Sequence, residues 1–111
     1  MDLDHLERMT LGDRQLEREV LKIFVRQAAI MLPRIATAAP AVAAAAAHTL
    51  LGSARGIGAW RVAQAAEWLE HAVASQPKDD ALMTAINELG AAVTEACTLI
   101  DARLGDRRDA G

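Results

Sequence analysis

Residues 40–58 read PAVAAAAAHTLLGSARGIG. The stretch opens on Pro40, which suits the first turn of a helix because the N–H it lacks has no intrahelical partner there. It closes on Gly56 and Gly58, the residue type that most readily ends a helix. Between them, the five alanines Ala43 to Ala47 favour helix and close approach to a neighbouring helix. From Ile35 to Ala54 there are 20 residues without Asp, Glu, Lys or Arg, long enough to cross a bilayer. The run is weak in kind, mostly alanine and interrupted by Thr37, Pro40, His48, Thr49, Gly52 and Ser53. It reads as a bundle helix and not as a membrane span.

Helical periodicity continues on both sides. Asp13 caps a segment to about Ala36, with Leu16, Val20, Ile23, Phe24, Met31 and Ile35 as its apolar stripe. Pro33 is expected to kink or end it. After Gly58, a helix from Ala59 or Trp60 to Ser75 carries Val62, Ala66, Leu69 and Val73 in register. Gln76 to Asp80 is a polar turn with a proline. A last helix runs from about Asp80 to Leu104, with Leu82, Ile86, Leu89, Val93, Ala96, Ile100 and Leu104 at steps of three and four. A short helix over residues 2–9 precedes them all, and Gly12 ends it. The expected fold is all-α: one domain over 1–111, an antiparallel four-helix bundle at about 13–104 with an extra N-terminal helix and a frayed polar tail at 105–111.

Composition agrees. Alanine fills 25 of the 111 positions, Tyr is absent and aromatics make up 3%, which is poor material for a β-sandwich or barrel. One cysteine, Cys97, excludes an internal disulfide framework and a cysteine-based zinc site. With 12 Lys+Arg against 15 Asp+Glu the net charge is -3, so bulk charge does not recommend a nucleic-acid partner. The start MDLDHLERMT is acidic and lacks the apolar stretch of a signal peptide. A soluble, cytoplasmic, bacterial-type monomer is expected, with no membrane or nucleic-acid partner.

His48 is the residue that invites chemistry. On a helical wheel Val42, Ala46, Thr49, Leu50, Ser53 and Ile57 group as the core face, and His48 falls opposite, in solvent, with Ala41, Ala44, Leu51, Gly52 and Arg55. Gly52, one turn on, costs about 1 kcal/mol relative to Ala in a helix interior, which suggests that a side chain there would obstruct something. Arg55, two turns on, sets a cation on the same side. Ala44, Ala45, Leu51, Gly52 and Arg55 together form a flat, largely apolar surface suited to a partner.

The run His48-Thr49-Leu50-Leu51-Gly52-Ser53-Ala54-Arg55-Gly56-Ile57-Gly58-Ala59 resembles the signature of histidine-containing phosphotransfer (HPt) domains. That signature is a histidine, an apolar residue two on, usually a lysine three on, then glycine, small residues and an apolar-glycine pair. Leu69-Glu70 is similar to the family's Leu-Glu pair in the following helix, and Met31-Leu32-Pro33-Arg34-Ile35 resembles the end of its first long helix. The resemblance covers nearly the whole chain. It implies a phosphorelay intermediate that accepts a phosphoryl group on His48 from a receiver-domain aspartyl phosphate and passes it to a second receiver aspartate. The role so implied is that of a stoichiometric histidine phosphotransfer protein rather than a turnover enzyme. It implies as partners response-regulator receiver domains and a hybrid sensor histidine kinase, with no cofactor of its own and Mg²⁺ on the receiver.

Leu51 departs from the pattern, standing where the lysine is usual. Arg55 is the expected substitute, because a guanidinium pairs well with phosphate oxygens. Glu70 is a candidate to orient His48 across the helix pair, the alternative being a plain solvated glutamate. His5 and His71 lack metal-ligand spacing and read as surface residues. Cys97 reads as a small buried hydrophobe, and Trp60 and Trp68 as core or bundle-edge packing. A non-catalytic helical adaptor that binds a receiver or kinase without carrying phosphate is the competing function. A generic assembly bundle is a third, for which an exposed Gly52 has no purpose.

Overall fold

The computed structural model describes residues 1–75 and 79–110. Five helices follow one another: α1 (Leu3–Met9), α2 (Arg14–Thr37), α3 (Pro40–Ile57), α4 (Trp60–Ala74) and α5 (Asp79–Ala110). There is no strand among the described residues. The expected polar turn falls on residues 76–78, outside the described residues, and on the start of α5.

Local chemistry sets the boundaries. The Asp2 side chain accepts from the His5 N–H at 3.0 Å and starts α1. Asp13 accepts from the Leu16 N–H at 3.0 Å and starts α2. Pro33 lies inside α2, which runs on to Thr37, close to the expected end at about Ala36. Proline removes the bond to the carbonyl four residues back, and both Pro33 and Ala29 are exposed, so water can take that carbonyl. Pro40 sits at the first turn of α3, and Gly58 ends it at φ 79°. A side chain at Gly58 would be strained, and its Cβ would lie 2.8 Å from the Asp2 carbonyl oxygen. Glycine there lets the start of α1 settle on the α3–α4 turn. At the far end, α5 passes Leu104 and Gly105 and stays helical to Ala110, where fraying was expected. A single glycine costs about 1 kcal/mol, and extending an existing helix needs no new nucleus.

Cross-helix pairs show the directions. His48 faces Glu70 and Arg55 faces Glu67, so numbers rise on α3 as they fall on α4. Ser53 Oγ donates to Gln27 Oε1 across α2–α3, Arg61 pairs with Glu95 across α4–α5, and Arg103 Nε donates to Glu17 Oε1 at 2.6 Å across α2–α5. The ring α2–α3–α4–α5 therefore closes as an antiparallel four-helix bundle, with α1 laid against α3. The molecule measures 50 × 22 × 16 Å, and α5 runs along its long axis. Leu21, Phe24, Ile35, Leu50, Val62, Leu69, Leu89, Val93 and Ile100 fill the core with the alanines at positions 28, 43, 47, 54, 66 and 85.

Two expected stripes are corrected. On α2 the buried line is Glu17, Leu21, Phe24, Ala28 and Ile35, whereas Leu16 and Ile23 are 42% and 46% exposed. On α3 the core line is Ala43, Ala46, Ala47, Leu50, Leu51, Ala54 and Ile57, with Val42 and Thr49 exposed. The real face is turned roughly 60° from the expected one, at 100° per residue. The reason is that alanine goes where backbones approach most closely, and hydropathy barely distinguishes one alanine from the next. Leu51 consequently moves from the presumed solvent face into the core, at 6% exposure.

Candidate functional site

His48 stands on the outer side of α3 with its side chain 74% exposed. Its Nδ1 lies 3.1 Å from Oε1 and 3.3 Å from Oε2 of Glu70, which reaches across from α4. A carboxylate accepts, so this pairing puts the ring proton on Nδ1 and the free lone pair on Nε2. The imidazole is thereby held by one nitrogen and open to attack an electrophile with the other.

Arg55 continues the same side of α3. Its Nη2 lies 3.4 Å from Glu67 Oε2, and both side chains are more than half exposed. The other Glu67 oxygen lies 3.8 Å from His71 Nε2, one turn along α4. The Arg55 carbonyl accepts from His5 Nε2 at 2.9 Å. His5 in turn packs against Trp60, ring centres 4.9 Å apart and planes tilted by 58°. Trp60 Nε1 donates to Asp2 Oδ2 at 3.0 Å, and the Asp2 N–H donates to the Gly58 carbonyl at 2.9 Å. The bonds from the His5 N–H and Trp60 hold the Asp2 carboxyl below the ordinary aspartate range. These contacts clasp α1 to the end of α3 that carries Arg55.

Gly52 and Gly56 follow His48 at one and two turns and so share its side. A Cβ at Gly52 would meet nothing within 4 Å, so the fold itself does not ask for glycine there. Beyond Gly56 the surface dips into an apolar groove of about 290 Å³ between α2 and α3, lined chiefly by Met9, Val20, Ile23, Gln27, Ser53 and Gly56. Ile23 and Met9 are about half exposed there.

Of the expected site residues, His48, Gly52, Arg55 and Glu70 do come together on one side of the α3–α4 pair. Ala45 is exposed and Ala44 half-buried beside them, while Leu51 lies beneath, in the core. Trp60 and Trp68 are about half exposed at the bundle edge. Cys97 is half-buried, and burial, helped by Asp101, pushes its thiol up. Sequence reasoning missed Glu67, although it shares a helix face with Glu70 three residues on. It also missed the α2 side of the groove, because Ile23 had been assigned to the core. Among the described residues no three His, Cys, Asp or Glu side chains converge to hold a metal ion, and no helix is long and apolar enough to cross a membrane.

The sequence model of the Hpt domain matches residues 19–103, from early α2 to late α5. The chain belongs to the Hpt domain family, histidine-containing phosphotransfer domains of two-component signalling that generally interact with receiver domains. No curated protein and no solved structure matches it.

Proposed function

We propose that the protein is a phosphorelay intermediate whose phosphoacceptor is Nε2 of His48. The observation that carries this reading is the Nδ1–Glu70 contact, which engages one ring nitrogen and leaves Nε2 without a protein partner on a side chain that is 74% exposed. The Nε2 lone pair forms a bond to the phosphorus of a receiver aspartyl phosphate as the P–O bond to the aspartate breaks, the electron pair leaving with that carboxylate. The ring gains positive charge, and Glu70 faces the Nδ1–H that bears it. Transfer to a second receiver runs these changes in reverse. Phosphoryl transfer depends on positioning and charge stabilisation more than on elaborate proton transfer, so an exposed histidine and a docking surface suffice on this side. Mg²⁺ and the acidic pocket belong to the receiver. A hybrid sensor histidine kinase is the source of phosphate in this reading, and receivers dock over Gly52 and the α2–α3 groove.

Incubation with a phosphorylated receiver domain tests it. Acid-labile, base-stable label should appear on the wild type and vanish entirely in His48→Gln, with the thermal midpoint of the variant unchanged because the side chain is exposed. Label retained by His48→Gln would place the chemistry elsewhere.

A second reading is favoured by Leu51. The cation usual at that position is replaced by a side chain turned into the core, as a receiver-binding adaptor without phosphate would tolerate. Receiver binding with no label on the wild type would establish that reading.

A further inference from the structure

We propose that Glu67 is a positioning residue that parks Arg55 away from the phosphoryl group and so sets how readily His48 gives that group up. The inference rests on the phosphotransfer reading of His48. A side chain on a helix leans toward the N-terminus, so the Arg55 side chain runs back along α3 in the direction of His48. Glu67 lies one turn before Glu70 on the antiparallel α4 and catches the guanidinium at 3.4 Å, about one turn short of the imidazole.

Arrival of a phosphoryl group on Nε2 changes what Arg55 faces. The group brings three acceptor oxygens and roughly −1.5 to −2 charges, as on other phosphorylated side chains. A guanidinium then has two anionic claimants, the Glu67 carboxylate and the phosphoryl oxygens. Only Nη2 of the guanidinium faces Glu67, and moving the group toward the phosphoryl oxygens draws that nitrogen away from the carboxylate. With Leu51 in the core, no cation stands one turn after His48 to do that work instead. Glu67 therefore raises the free energy of the phosphorylated state by competing for its counter-charge, and favours onward transfer. The Glu67–Arg55 pair is more than half exposed, so the competition is modest and reversible, as a carrier that must both load and unload requires.

The test is the equilibrium partition of phosphoryl between His48 and one receiver aspartate, at 0.15 M salt, for wild type, Glu67→Gln, Arg55→Ala and the double variant. Glu67→Gln should shift the partition toward His48 by about threefold, within what an exposed pair supplies. Arg55→Ala should shift it toward the receiver. In the Arg55→Ala background, Glu67→Gln should have no effect. The same shift in both backgrounds would mean that Glu67 acts by plain repulsion and would overturn the proposal. So would an unchanged partition in Glu67→Gln. Wild-type protein that takes no label at all would instead sink the phosphotransfer reading beneath it.

Discussion

The two flanks of His48 are built from opposite materials. Toward α4 the surface is ionic: Glu70 on the imidazole, Glu67 on Arg55, His71 close behind. Toward α2 it is apolar and concave, floored by Val20 and Ile23 and edged by Gly56 and Ser53. In the proposed phosphotransfer the ionic flank acts on the charge of the reacting nitrogen and of what becomes bonded to it. The apolar flank offers area that loses water on contact and carries no charge to bias the reaction. In the proposed reading, one helix face separates the two tasks of a carrier, chemistry on one edge and adhesion on the other.

Substitutions that cross this division should break it in order of size. Leu51→Lys lies beneath both flanks and should act on stability alone. It deletes a buried leucine and forces an ammonium toward the core, at a cost of about 3 kcal/mol in urea unfolding. Unchanged stability would mean that the lysine reaches solvent and that position 51 belongs to the ionic flank after all. Glu70→Gln keeps the shape of the contact and removes its charge. Transfer from a fixed receiver should slow about tenfold, equivalent to about 1.4 kcal/mol, with receiver affinity unaltered. A rate equal to wild type would reduce Glu70 to an ordinary surface partner.

The apolar flank should respond in the opposite sense, in affinity and not in chemistry. Gly52→Leu should fold at least as stably as wild type, since space is open there and leucine is the better helix former. It should still weaken receiver binding about fivefold by filling the clearance beside His48. Equal binding by the variant would show that partners do not pass over Gly52. Ile23→Asp should weaken binding about threefold while the lifetime of the phosphohistidine stays constant. A shortened lifetime would show that the two flanks are not separate.

Much of this architecture was legible in the residues. Asp13, Pro40 and Gly58 marked helix ends because capping chemistry is local, and the long stripe of α5 announced itself through leucine, isoleucine and valine. His48 was placed correctly in solvent, and Glu70 was identified as its possible neighbour. The face of α3 was not legible. Of the core residues that fix its orientation, Ala43, Ala46, Ala47 and Ala54 are chemically identical to the exposed Ala41 and Ala45, so Val42 and Thr49 pulled the expected face aside. Ile23 departs for the complementary reason: an exposed groove isoleucine and a core isoleucine look alike on a wheel. Glu67 required knowing which side of α4 meets α3, which is a fact of packing and not of periodicity.

The contact between Glu17 and Arg103 joins residues 86 apart in the chain. The other helix pairs of the ring are neighbours in sequence and close short loops, so they meet early and at small entropic cost. The α2–α5 seam alone waits for the whole chain to return on itself. Folding should accordingly be fast for most of the bundle and end on this seam. In hydrogen exchange it should be the first boundary to part, so that the bundle opens from the side remote from the α3–α4 pair while His48 and Glu70 are still held together.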